Sequence, residues 1–436
     1  MRSKSQCRVS LSRTMSPTAT VALAMAIACT LTAVLPQSVQ AQTFNVIHNF
    51  TGADGAAPSA GVTIDKHGNL YGTTALGGTL DAGTVFELRR SNSGFVFNPL
   101  YSFAGVSDGA VPYNRPIFGW DGTLYGTTAQ GAGGACDYGC GTVFNLRPPP
   151  TICKTALCPW TETVLYRFRG GSDGSDPEGD LIFDQVGNLY GTTTSGGIGN
   201  CGPPGCGVAY KLIPSNGAWT QNVLYSFGNG ANDGANPVSG VIFDSAGNLY
   251  GTTMRGGSGG QFYCPGNEGC GTVFELTPSG LGWTEKILYN FGVYGRWDGR
   301  SPVAGLIFDG SGNLYGATYA SGSGGGGTVF ELSPSGGLEV LYSFTGYGGP
   351  ADRLVMDASG NLYGTTRQDG LYPSGSVFKL SRSNGSWTYT SLHDFTGGSD
   401  GAYPNGVTLD ANGNLYGTAQ SGGAYGSYGV VWEITP

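Results

Sequence analysis

Short stretches of alternating apolar and polar residues recur along the chain, bounded by glycine, asparagine, aspartate or serine. A period of two over four to nine residues predicts β-strands rather than helices. Four such stretches make one unit. In one copy, GVIFD (240–244) passes through a Gly-Asn turn into NLYGTT (248–253). A glycine-rich loop leads to GTVFEL (271–276), and another loop leads to WTEKILYNF (283–291). The tripeptide Leu-Tyr-Gly marks the second stretch and occurs seven times, starting at Leu70, Leu124, Leu189, Leu249, Leu314, Leu362 and Leu415. The intervals are 54, 65, 60, 65, 48 and 53 residues, a length that suits four strands and their turns.

Seven repeats of four antiparallel strands predict an all-β fold, a seven-bladed β-propeller. The Asp-x-x-Gly-Asn link, as in Asp309 to Asn313, suits a hairpin turn with a left-handed glycine. A solenoid would need polar end caps, and the two ends of the array look like its middle. The repeats begin with a fourth-strand motif, NVIHNF (45–50), and stop after a third-strand motif, GVVWEI (429–434). One blade is therefore split. We expect the strand over 44–50 to complete the blade formed by 406–434, which removes the free edges of an open sheet.

Residues 1–41 read as a signal peptide, leaving 42–436 as a single propeller domain. Arg2, Lys4, Arg8 and Arg13 precede an apolar run from Val21 to Leu35, and Val39-Gln40-Ala41 offers a small-residue cleavage site. Lipoprotein processing at Cys29 is the alternative. Composition agrees with a turn-rich β protein: 79 of 436 residues are glycine, 12% are aromatic and only 11% are charged. Removing the four basic leader residues and no acid leaves 17 basic against 29 acidic residues, a net of −12. A sparse acidic surface without a basic cluster excludes nucleic acid as the expected partner. No second hydrophobic segment follows the leader, so we expect no membrane insertion of the mature chain, and a monomer.

The repeated GNLYGTT, GTVFEL, VLYSF and DGxxP segments resemble the GloVer-type tandem repeats of secreted bacterial proteins, which are similar in style to NHL-like propellers. The resemblance covers about residues 44–436. It implies an exported, surface-associated protein of unassigned activity. Its members carry varied C-terminal anchors, whereas this sequence stops at Thr435-Pro436, so release or periplasmic residence is the expectation.

Candidate chemistry lies where residues leave the repeat. Aromatic residues present in every copy (Tyr71 and its six equivalents, Phe86 and its equivalents) read as packing between blades. Trp160, Trp219, Trp283 and Trp387 start fourth strands and should shield the outer blade surface. Asp54, Asp108, Asp173, Asp233, Asp298 and Asp400 sit in Asp-Gly-x-x-Pro, where aspartate can bond backbone two residues on. His48 and His393 take a slot held elsewhere by tyrosine, and a zinc site built from them and His67 is a weak alternative. The eight cysteines after the leader form close pairs, Cys136/Cys140, Cys153/Cys158, Cys201/Cys206 and Cys264/Cys270. In an oxidising compartment these read as disulfides pinning a loop rim, each worth about 2 kcal/mol by loop entropy.

Gly61, Gly240, Gly305 and Gly406 hold a slot that becomes Arg115, Asp180 and Arg353 in the other repeats. With Tyr113, Asn114, Glu178, Asp352 and Asn405 these residues should line the mouth of the central channel, the default ligand site. The run Asp173, Asp176, Glu178 and Asp180 could also hold calcium, and it could equally be a solvated acidic loop. No nucleophile elbow, zinc-protease motif or phosphate loop is present. The expected function is a non-catalytic binding module, with extracellular or cell-surface glycan, or a cell-surface protein, as its partner. The alternative is a propeller lyase or hydrolase acting at the mouth through Arg115, Arg353, Glu178 and Asp180.

Overall fold

Each Leu-Tyr-Gly-Thr-Thr stretch forms a five-residue strand whose leucine is buried, and each sits second in a four-stranded antiparallel sheet. The computed structural model describes residues 42–150, 159–230, 232–259, 264, 269–280, 282–293 and 297–436. The leader expected over residues 1–41, and Cys153 and Cys158, lie outside them. Seven such sheets make the seven-bladed propeller. Six are built in sequence order, for example Ile242–Phe243, Leu249–Thr253, Thr272–Ser279 and Gly282–Asn290. The seventh is built from Ala402–Leu409, Leu415–Ser421 and Val430–Thr435, and Thr43–Asn49 supplies its outer strand. Phe44 lies opposite Ile434, and Val46 opposite Trp432. The ring therefore closes through the pairing of the two ends of the repeat array, as their motifs require.

The first strands are shorter than the sequence suggests, two residues in six of the blades. Before them the chain is held by the preceding blade instead: Thr192 donates to the Ser239 carbonyl and Thr252 to that of Ala304. Each letter of the repeated motif has such a task. The tyrosine leans edge-on against the first-strand phenylalanine of the next blade, as in Tyr71–Phe118 and Tyr250–Phe308, with ring centroids 5.0 and 5.1 Å apart. The glycine lies beneath the third-strand aromatic ring of its own blade. A Cβ on Gly251 would stand 2.5 Å from the Phe274 ring. That ring in turn meets the phenylalanine that ends the fourth strand of the preceding blade, as in Phe227–Phe274 at 5.0 Å and Phe50–Phe86 at 5.3 Å. The last threonine pairs with one on the third strand, Thr253 with Thr272 at 2.8 Å. Trp160, Trp219 and Trp283 take part in the same joints. Their rings reach Tyr71, Tyr125 and Tyr190 of the preceding blade, so they fill inter-blade space rather than merely shielding the outside.

Three of the expected disulfides are present, Cys136–Cys140, Cys201–Cys206 and Cys264–Cys270, with Cα atoms 5.3–5.5 Å apart. Each lies in a second-to-third-strand loop, over the glycine that follows the fourth strand of its blade (Gly170, Gly228, Gly292). The carbonyls of Cys140, Cys206 and Cys270 accept hydrogen bonds from Asp176, Asn236 and Ser301 in the link into the next blade. These three link residues precede a proline and hold positive φ of 54–56°. Such non-glycine strain persists where surrounding bonds fix it.

The aspartates of Asp-Gly-x-x-Pro do hold the links, but by a different pattern from the one expected. Their carboxylates accept backward, from backbone N–H groups three to six residues earlier, and from the fourth-strand tyrosine or histidine. Asp108 accepts from Tyr101 Oη and the Ala104 and Gly105 amides. His48 and His393 pair in the same way with Asp54 and Asp400. Burial lowers the pKa of both imidazoles against the pull of their aspartates.

A third residue, from the outer strand of the next blade, completes some of these joints. In one it is Gln221, which accepts from Tyr166 Oη and donates to the Asp173 carbonyl. In another it is Glu285. The single Tyr225 hydroxyl proton faces both Asp233 Oδ2 at 3.0 Å and Glu285 Oε2 at 3.2 Å, and cannot serve both. Burial, then the Asp233 charge, pushes Glu285 up to about 8. Glu162, beside Asp108, is pushed to about 7, again mainly by burial. A carboxyl that holds its proton more tightly folded than unfolded stabilises the fold below its unfolded pKa. That contribution is lost as pH rises through the folded value. Glu162→Gln with Glu285→Gln should leave the stability nearly unchanged at pH 4, below the ordinary glutamate value of 4.5. At pH 9 it should raise stability by on the order of 1 kcal/mol per site after discounting for solvent screening, measured by denaturant unfolding at both pH values.

Candidate functional site at the channel mouth

The link proline of each blade (Pro58, Pro112, Pro177, Pro237, Pro302, Pro350, Pro404) is followed by residues that descend into the central channel. Ser59, Tyr113, Glu178, Val238, Val303 and Ala351 come first and line the mouth. The glycine slot comes next in depth and lies at the narrowest level. A Cβ on Gly240 would stand against the Asp180 backbone, and one on Gly406 would meet Gly61 and Asp352. Gly240 and Gly406 have no room for a side chain, Gly61 is tight and Gly305 has ordinary space, and the remaining three blades place Arg115, Asp180 and Arg353 in this slot. The cavity encloses about 800 Å³ and continues past this level to apolar first-strand residues such as Ile117, Phe183 and Leu306.

The charged residues converge. Arg115 is buried, with its Nε 3.1 Å from Asp180 Oδ2 and one terminal nitrogen 2.9 Å from Asp352 Oδ1. The contact to Asp180 is an ion pair without hydrogen-bond alignment, and Arg115 Nε has no hydrogen-bond partner. Arg115 and Asp352 come from the second and sixth blades, so this pair spans the channel. Burial disfavours the Arg115 charge, but Asp352 and Asp180 outweigh it and raise its pKa. Arg353 is shifted the other way, first by the like charge of Arg115 and then by burial. Burial, with a smaller contribution from Asp176, pushes Glu178 up to about 7. The Tyr113 hydroxyl is raised by burial and then by the Glu178 charge, although the residue as a whole is 37% exposed at the mouth.

Two expected residues have other work. Asn114 is buried, donates to the Gly179 carbonyl and accepts from the Thr127 amide. Asn405 donates to the carbonyls of Pro58 and Tyr403, although it also borders the cavity. The acidic run is divided. Asp173 is engaged with Tyr166 and Arg169 at the blade joint, Asp176 lies in the strained link, and only Glu178 and Asp180 face the cavity. Among the described residues, no three histidine, cysteine, aspartate or glutamate side chains form a group able to hold a metal.

A second ring of cavity residues escaped the sequence reading: Met254, Tyr319, Arg367 and Gln420. Each is the fifth residue after the leucine of Leu-Tyr-Gly, directly beyond the strand in three blades and within Leu415–Ser421 for Gln420, where the other blades carry Ala75, Ala129 and Thr194. Variation at this position was the available signal. Arg367 donates to Gln420, joining the sixth and seventh blades at the mouth.

No curated protein matches the chain. Among solved structures, a putative 6-phosphogluconolactonase from Bacteroides uniformis is 15% identical, with a TM-score of 0.48, over 76% of this chain and 84% of that one. A putative oxidoreductase (glucose dehydrogenase) from Thermus thermophilus is 13% identical, with a TM-score of 0.43, over 90% and 99%. A protein of unknown function from Dyadobacter fermentans is 11% identical, with a TM-score of 0.42, over 91% and 100%. At the level of sequence, residues 33–260 and 260–436 match the Gloeobacter/Verrucomicrobia repeat. With nearly the whole repeat array covered, the chain belongs to the Gloeobacter/Verrucomicrobia repeat family.

Proposed function

We propose that the protein is an exported binding module that takes a glycan at the channel mouth. The observation that carries this reading is where the sevenfold repetition breaks. Blade joints repeat the same residues throughout, whereas the mouth gathers Tyr113, Tyr319, Glu178, Arg367 and Gln420 around one cavity. Sugar recognition needs flat apolar faces for the ring and directed polar groups for its hydroxyls, and this lining offers both. Further exposed aromatics, Tyr138, Tyr347 and Tyr425, lie on loops and links of the same face and suit a polymer longer than the cavity. Export is supported by the basic-apolar leader and by the disulfides. Tyr113→Ala with Tyr319→Ala should weaken binding of whichever oligosaccharides the parent captures on a glycan array by about tenfold or more, with an unchanged melting temperature. Capture of no glycan by the folded parent would contradict this reading.

One observation favours a second reading, a lyase or hydrolase. Glu178 titrates at about 7 inside the cavity, where a carboxyl can both give and take a proton. On that reading, glycan bound by the protein is cleaved over hours, and Glu178→Gln abolishes cleavage while retaining binding. Intact glycan after prolonged incubation with the parent, followed by mass spectrometry, favours the binding module.

A further inference from the structure

Two arginines, Arg353 and Arg367, line the channel cavity, and a third, Arg115, lies buried beside it. Arg115 is committed to Asp180 and Asp352. Arg353, in the wall of the same cavity, makes no side-chain hydrogen bond and no ion pair among the described residues, and its strongest electrostatic neighbour is the like charge of Arg115. Arg367 bonds the neutral amide of Gln420 and likewise has no carboxylate partner among the described residues. Outside the cavity both patterns occur: Arg89 meets Glu87 at 3.0 Å and Arg169 meets Asp173 at 3.4 Å, while Arg90 and Arg167 donate to neutral oxygens of Tyr416 and Ser107. Asp180 and Asp352 offset part of the Arg353 charge without pairing with it among the described residues, so the sixth blade presents two guanidinium groups with no bonded carboxylate to a partly desolvated cavity, where an incoming anion is favoured.

We propose that the cavity takes an anionic saccharide whose carboxylate or sulfate group seats on Arg353 and Arg367. This rests on the reading of the mouth as a glycan site and specifies its ligand class. Planar guanidinium forks suit either oxyanion. The cavity, at about 800 Å³ and walled in part by Tyr113, Tyr319 and Met254, is far larger than a free inorganic anion needs. The chain as a whole carries −8, so capture is a local effect of these two side chains and not of long-range attraction.

Isothermal titration of the full chain separates this inference from the one beneath it. The probes are tetragalacturonate, its methyl ester, a sulfated disaccharide with its unsulfated parent, and inorganic sulfate. An acidic saccharide should bind about tenfold or more tightly than its neutral counterpart, and added salt should narrow the difference. Whether the uronate or the sulfated sugar shows the effect identifies the oxyanion. Arg353→Gln with Arg367→Gln should erase the preference for the acidic saccharide over its neutral counterpart. Arg353→Lys should keep part of the preference, and it serves as the test if the double variant does not fold. Equal binding of acidic and neutral saccharides, or a preference that survives in the double variant, overturns the anionic inference and leaves the glycan site standing. Binding of inorganic sulfate alone, lost in the double variant, keeps the anion site and overturns the glycan reading. Binding of none of the probes overturns the anionic inference.

Discussion

Every blade is a sheet with two apolar faces, and neither can be left to water. The structure depends on how those faces are covered, through an aromatic ring laid over a glycine and pressed by the next sheet. Gly251 beneath Phe274, with Phe227 from the preceding blade on its far side, shows the arrangement. Small and large must alternate here, because a side chain on the glycine would displace the ring that makes the joint. The rule applies equally where the chain ends meet. Phe50 reaches Phe86, and Phe395 reaches Trp432, so the blade assembled from both termini uses the same contact as the rest. A ring whose members stabilise only each other has no natural end, which is why the split blade matters.

This explains what could be read in advance. Joint residues recur seven times because seven joints are equivalent, so the fold, the closing strand and the packing role of Tyr71 and Phe86 were legible in the repeat. The cysteine loops were legible from spacing alone. The polar joints were less so. The partner of Asp108 is Tyr101, which precedes it in the chain and comes back to it only through the path of the outer strand. No local pattern announces that return. The shortness of the first strands was hidden for a similar reason, because their approach is held by threonines from another blade.

At the mouth, legibility was partial. A glycine slot that turns into Arg115, Asp180 and Arg353 stands out against the four copies that keep the glycine. That Arg115 reaches Asp352 across the channel does not, since it depends on how tightly seven sheets close. Tyr319 and Arg367 were poorly legible because the residue that follows the second strand belongs to no motif and is a small one, such as Ala75 or Ala129, in other blades. The close approach of the blades leaves no room for a side chain at Gly240 and Gly406 and brings Arg115 against Asp180 and Asp352, so the electrostatics of the cavity follow from the geometry of the ring.

The most direct measurement of that closure is the unfolding of a chain lacking residues 43–49, with and without a synthetic peptide of residues 43–50. The account predicts that the shortened chain loses its single cooperative transition and that the peptide restores it. A shortened chain that melts as cooperatively, and at the same temperature, as the parent would contradict it.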